Sequence, residues 1–276
     1  MGFSVYNNVE AMNSHRLVTD TNAKLSKSME RLSSGLRINR SADDAAGLAV
    51  SESMRSNIRG MQVGSRNAQD GASLVQVADG ALGNVTSMLQ RVRDLAVQAT
   101  NGTYTNAQRA NLDAEVQQIL TEIGATGANT DFNGIKILSG SVSTAASAVT
   151  LLVGATATQT IAFTIGTVST TQLGIVGLAV STAASASAAI ASLDAAISTV
   201  TTQRANMGAI QNRLELTISR LGVSAENLQA SESRIRDADM AYEMIGFTKN
   251  QILQQSGMAM LAQANQAPQS VLSLLR

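Results

Sequence analysis

From residue 190 to 242 apolar side chains recur every seven residues. Leu193, Val200, Met207, Leu214, Leu221, Leu228, Ile235 and Tyr242 make one line, and Ile190, Ile197, Ile218 and Ala225 a second, which Arg204 and Gln211 interrupt. Heptads sustained over this length predict a coiled coil. An unbroken helix over that stretch would run roughly 80 Å at 1.5 Å per residue, with Gly222 the expected place for a bend. The first third carries the same pattern: Leu74, Ala81, Met88 and Leu95 in one seam, Ala78, Val85, Val92 and Ala99 in the other. Nearer the start Val18, Leu25 and Leu32 fall in line beside Met29 and Leu36. Near the end Ala238, Ile245, Ile252 and Ala259 repeat by seven. The single proline, Pro268, leaves long helices unbroken over most of the chain.

The breaks are polar. NRSADDAAG (39–47) holds Ser41 and Asp43 as candidate N-caps, and NGTYTNAQR (101–109) holds an Asn-Gly turn followed by Thr105 or Asn106, either able to cap a helix running to residue 123. GATGANTDFNG (124–134) reads as a loop and GIKILSG after it as a short strand. VTLLVG (149–154) and IAFTIG (161–166) are rich in β-formers and predict a hairpin. No charged residue occurs between Lys136 and Asp194, and Ser, Thr and Gln interrupt every apolar run there. Residues 137–189 are therefore expected to be a hairpin followed by an exposed, hydroxyl-rich, outward-facing segment, a candidate for O-glycosylation. The predicted class is mainly α: an elongated antiparallel coiled-coil or helical bundle with a small β-hairpin region, in which the N- and C-terminal segments pack together.

Composition narrows the chemistry. Aromatics are 3% of the 276 residues and Trp is absent, which suits thin helical packing better than a globule built on large rings. Lys+Arg and Asp+Glu are both 20, so the chain has no basic footprint for nucleic acid and little net repulsion against its own copies. There is no Cys, and His15 is the only His, which removes thiolate sites, a Cys nucleophile and an HExxH zinc site. Neither a P-loop nor a GxGxxG occurs. Asp43 and Asp44 read as a helix start rather than an acid–base pair. No catalytic residue, cofactor or metal is expected. MGFSVYNNVEAMNSHRL is too polar for a secretory signal peptide, and no run of 18 apolar residues predicts a membrane span.

RLSSGLRINRSADDAAGLAVSESMRSNIRGM (31–61), QRVRDLAVQATNGT (90–103), RANMGAIQNRLE (204–215), ENLQASESRIRDADMAYEM (226–244) and QQSGMAMLAQANQAPQSVLSLLR (254–276) together resemble bacterial flagellin. VGATATQTIAFTIGTVSTTQLGI (153–175) resembles the family's short hairpin segment, without the large outer domains that many members insert there. The resemblance implies a subunit that polymerises into the filament used for swimming and leaves the cell through the flagellar export channel without a cleaved signal peptide. It implies an inner terminal coiled coil, 1–43 plus 235–276, disordered in the monomer, with residues 44–234 as the next layer, a helical bundle. Val18, Leu25, Met29, Leu32, Leu36, Ile235, Ala238, Tyr242, Ile245 and Ile252 would pack the terminal coil.

The implied partners are copies of the chain, hook-associated and cap proteins, and an export chaperone at the C-terminal helix. An animal Toll-like receptor is a further one, sensing a region that maps onto Gln90, Arg91, Val92, Arg93, Leu95, Glu115 and Gln118. Asp94 stands where the family more often has Glu. Two other readings remain: a hook–filament junction protein of the same family, and a secreted translocator that inserts its uncharged middle into membranes.

Overall fold

The computed structural model describes residues 7–140, 142 and 147–274, with side chains described as far as 266. Five helices are present among the described residues: α1 Val9–Ser34, α2 Ala45–Thr100, α3 Asn106–Asn129, α4 Ala183–Arg236 and α5 Met240–Leu274. Two antiparallel strand pairs lie between α3 and α4 in sequence: β1 Asp131–Phe132 with β2 Ile135–Lys136, and β3 Val149–Leu152 with β4 Thr160–Phe163. The fold is mainly α, and helices from the two ends of the chain pack together, α1 on α5. The chain divides into two compact units, one of Met1–Ser56 with Asn227–Arg276 and one of Asn57–Glu226.

The second unit holds the main core. Val75, Ala78, Leu82, Val85, Leu89, Val92, Ala96 and Ala99 of α2 are buried with Ala189, Leu193, Ala196, Val200, Met207 and Leu214 of α4 and Val116, Leu120 and Ile123 of α3. Arg93 pairs with Asp194 at 2.7 Å and Asp79 with Arg204 at 2.9 Å, so α2 and α4 run antiparallel. The heptad line through Leu193 and Leu221 is the inner one. The second inner line of α4 passes through Ala189, Ala196 and Thr217, one residue before the predicted Ile190, Ile197 and Ile218, which are half-buried. Small residues at the closest approach let the helices come together, so Ala and not Ile takes the innermost place.

Three expectations are corrected. α3 does not stop at 123 but continues to Asn129, because Gly127 has no Cβ and the Val168 backbone packs against it. Residues 137–180 are not simply an outward segment. Ile137, Leu138, Val153, Ile161, Phe163, Ile165, Val168, Leu173, Ile175, Leu178 and Val180 enter the core, while Thr158, Thr160 and Thr164 stay exposed. Alternation along β4 sends Ile161 and Phe163 inward. The long C-terminal helix is broken at residues 237–239 rather than running to 242. There the backbone pairs with the segment after α1: Arg37 N–H donates to Arg236 O at 2.7 Å and Ala238 N–H to Gly35 O at 2.9 Å.

The hairpin β3–β4 is seated on a glycine track that the sequence pattern does not flag. A Cβ on Gly60 would lie 2.8 Å from Ala155, and one on Gly64 2.7 Å from the backbone of Val153 and Gly154; Gly71 faces Leu151. Between them Asn67 Nδ2 donates to Leu152 O at 2.8 Å. These positions line one side of α2, where the missing side chains make room for the hairpin backbone.

Candidate assembly surface

α1 starts at Asn8, whose side-chain oxygen accepts from Ala11 N–H at 3.0 Å, and stops at Gly35, which takes the left-handed conformation at φ 72°. α5 is started by Asp239, whose carboxylate accepts from Ala241 N–H at 3.0 Å and Tyr242 N–H at 3.1 Å. α2 is capped by Asp44, accepting from Gly47 N–H at 2.9 Å, and not by Ser41 or Asp43. Asp43 instead accepts from Asn39 and Arg40 N–H and pairs with Lys27 at 2.7 Å. The hydrogen bond from Lys27 is the main cause that holds its carboxyl at about 2, below the usual value. Glu52 is also held below its ordinary value, first by the hydrogen bond from Arg236 at 2.7 Å and then by Arg55.

The inner faces of α1 and α5 follow steps of three and four. On α1 they are Ala11, Ser14, Val18, Thr21, Leu25, Ser28 and Leu32; on α5 they are Glu243, Phe247, Asn250, Gln254, Gly257, Leu261 and Ala264. This seam is mostly small or polar. Gln254 donates to Asn22 Oδ1 at 2.6 Å, Asn8 Nδ2 to Ala264 O at 2.7 Å, and Arg31 lies 3.5 Å from Glu243. A Cβ on Gly257 would meet Val18 Cγ2 at 2.9 Å, which marks the closest approach.

Of the residues expected to pack the terminal coil, Val18 is buried, and Leu25, Leu32, Leu36, Ile235 and Ala238 are half-buried. Met29, Tyr242, Ile245 and Ile252 do not lie in the α1–α5 seam. They are exposed, Tyr242 at 76% and Ile245 at 69%. The seam of α5 is rotated away from the heptad line 238–245–252, because close helix approach selects Gly257 and its small or hydrogen-bonding neighbours. Met244, Ile245, Ile252 and Leu253 are left facing out. Met244, Ile245, Thr248, Lys249, Ile252 and Leu253 line an open groove of about 490 Å³.

In the second unit Arg91 and Glu115 make a 2.7 Å ion pair between α2 and α3, and Arg93 turns to Asp194 of α4. The bond to Asp194 is the main cause raising the pKa of Arg93. Gln90, Arg91 and Gln118 are exposed, whereas Val92 and Leu95 belong to the core. The candidate receptor residues are thus brought together as a polar surface over a buried apolar floor. Sequence reasoning missed Arg109, a buried cation at the α2–α3 turn. It donates to Ala99 O at 2.7 Å, Asn101 O at 3.0 Å and Asn106 Oδ1 at 2.9 Å, closing the C-terminal carbonyls of α2. Thr105 caps α3 reciprocally with Gln108. Among the described residues no group of three or more His, Asp or Glu side chains is placed to hold a metal ion. α4 contains the one window there that is long and apolar enough to cross a membrane, and its Leu193, Ala196 and Val200 lie in the core.

Residues 5–143 match the bacterial flagellin N-terminal helical region, and residues 190–275 match the C-terminal helical region. The chain belongs to the bacterial flagellin family. It is 49% identical to the flagellar filament 33 kDa core protein of Treponema phagedenis, over 99% of each chain. It is 46% identical to a flagellin of Bacillus subtilis, again over 99% of each. A flagellar hook-associated protein from Vibrio parahaemolyticus shares the fold, with a TM-score of 0.58 at 13% identity, over 71% of this chain and 100% of that one. The flagellin matches leave residues 144–189, which include the hairpin β3–β4, between the two family regions.

Proposed function

We propose that the outward apolar faces of α1 and α5 are the surfaces through which this chain, a structural subunit of the bacterial flagellar filament, polymerises to serve swimming. One observation carries the reading: the α1–α5 pair spends its small and polar residues on its own seam and leaves Ile245, Ile252, Leu253 and Met244 uncovered. Each such side chain contributes about 1.5–3 kcal/mol when buried, whereas ordering a residue costs about 1–2 kcal/mol. A seam in which Ser, Thr, Asn, Gln and Gly interrupt Val18, Leu25, Leu32, Phe247 and Leu261 supports the pair weakly, so the terminal segments, 1–43 and 235–276, order when the next subunit covers them. Non-closing contacts between identical copies generate a helical polymer. Unordered termini also suit export through the flagellar channel, without a cleaved signal peptide. The Ile245–Ile252 groove is then the place for an export chaperone, and the filament's ends meet hook-associated and cap proteins.

The test compares the natural chain with Ile245→Asp/Ile252→Asp by electron microscopy and light scattering. The variant should keep the helicity and melting of the second unit and form no filaments; filaments of ordinary length would overturn the assignment. Limited proteolysis of the free subunit should remove residues before about 43 and after about 235 first.

A second reading concerns Arg91. Its guanidinium, paired with Glu115 beside Gln90 and Gln118, is a compact polar surface that an animal Toll-like receptor could contact. Val92 and Leu95 are buried and would act only by holding that surface in place. Equal signalling by the natural chain and Arg91→Ala in a reporter assay with purified subunit would sink this reading.

A further inference from the structure

We propose that the exposed methionines of α1 and α5 are an oxidation site that controls assembly: hydrogen peroxide converts them to sulfoxides in the free subunit, and the polymer protects them. The inference rests on the reading that the outward faces of these helices are the assembly surface.

Methionine burial differs sharply between the two units. In the second, Met207 is fully buried and Met61 and Met88 are half-buried. Every exposed methionine among the described residues belongs to α1 or α5: Met12, Met29, Met240, Met244, Met258 and Met260. Met244 lines the apolar groove beside Ile245 and Ile252, and Met260 lines a second groove of about 470 Å³ with Glu10, Asn13, Ser14, Gln263 and Ala264. The chain has no cysteine, so no thiol competes for an oxidant, and among the described residues these six thioethers are the exposed sulfurs.

The chemistry is a two-electron oxygen transfer. A sulfur lone pair attacks one peroxide oxygen, the O–O bond breaks and an S–O bond forms. The departing oxygen takes the transferred proton and leaves as water. Sulfur is oxidised and the peroxide reduced, with no other reactant needed. A flexible apolar side chain becomes a polar one with a strong acceptor. On a surface that must be covered by another subunit, that acceptor is desolvated without a donor opposite it. Such a penalty raises the critical concentration for polymerisation about tenfold or more.

The test treats free subunit and preformed filament with the same hydrogen peroxide dose and maps oxygen addition by peptide mass spectrometry. The six exposed methionines should oxidise in the free subunit, Met207 should not, and the filament should be protected. Oxidised subunit should fail to polymerise and recover after treatment with methionine sulfoxide reductases and a thiol reductant. Reductase treatment that removes the sulfoxides without restoring polymerisation would also overturn the proposal, because the lost assembly would then have another cause. Normal polymerisation of subunit fully oxidised at the six positions overturns this proposal alone. Failure of untreated subunit to polymerise overturns the assembly reading beneath it.

Discussion

The side-chain amide of Asn8 donates a 2.7 Å hydrogen bond to the carbonyl oxygen of Ala264. Four residues beyond Ala264 in α5 stands Pro268, which has no N–H, so this carbonyl lacks its helical donor. Asn8 therefore does two things with one amide. Its oxygen caps α1 through Ala11 N–H, and its nitrogen fills the gap that proline opens in α5.

Asn8→Ala should lose the cap and the cross-helix bond, about 2 kcal/mol together. Pro268→Ala restores a donor to Ala264, so in that background Asn8→Ala should cost only the cap, about 1 kcal/mol. The thermal disassembly temperature of filaments made from the four chains of this cycle reads the difference. Equal penalties in both backgrounds would separate Asn8 from the proline.

The glycines of α2 and α4 are not equivalent. Gly64→Ala puts a methyl into the backbone of residues 153–154 and should lower stability by about 1–3 kcal/mol. Gly208→Ala in α4 meets open space and should raise stability by about 0.5–1 kcal/mol. Thermal unfolding followed by circular dichroism should move in opposite directions for the two, and proteolysis within 153–159 should become faster only for Gly64→Ala.

Arg109→Ala leaves the carbonyls of Ala99 and Asn101 facing the space its guanidinium filled. The expected loss is about 2–3 kcal/mol, since a charged donor serving buried acceptors is among the stronger hydrogen bonds. Arg109→Lys should recover little, because one ammonium cannot reproduce the forked contacts. Urea denaturation with an unchanged m-value would establish this as a stability effect.

Asp43 makes the first unit acid-sensitive. Its carboxyl is depressed from 3.8 to about 2 by Lys27, with a smaller part from the backbone N–H groups of Arg40 and Asn39. A depressed acid stabilises the fold above its unfolded value, and that contribution disappears as pH falls from about 4 towards 2. Stability of filaments should be flat above pH 5 and fall across that window. Lys27→Gln should reduce the slope, and so should added salt, because the lysine is half exposed. An unchanged acid limb in Lys27→Gln would assign the sensitivity to another carboxylate.

Much of the architecture is legible in the linear pattern. Leu193, Val200, Met207, Leu214 and Leu221 mark the inner line of α4 because a residue repeated every seven positions stays on one side of a helix. Thr105 announces the start of α3 because its hydroxyl and Gln108 can serve each other's backbone, a purely local matter. Gly127, Gly64 and Gly257 are different. Each matters for the group that approaches it, Val168, Val153 and Val18 respectively, and those residues are remote in sequence.

The candidate site divides in the same way. Gln90, Arg91, Glu115 and Gln118 are found as a motif, yet the ion pair between Arg91 and Glu115 and the burial of Leu95 follow from how α3 folds back on α2. For the terminal helices, the sequence by itself determined that they are helices, that apolar positions repeat along them every seven residues, and which family they belong to. Only the tertiary structure decided which stripe faces inward. The large residues Ile245 and Ile252 compete with a line of small and hydrogen-bonding residues at 250, 254 and 257, and close approach of two backbones favours the smaller ones. The large residues are thereby left on the outside, where another subunit can reach them.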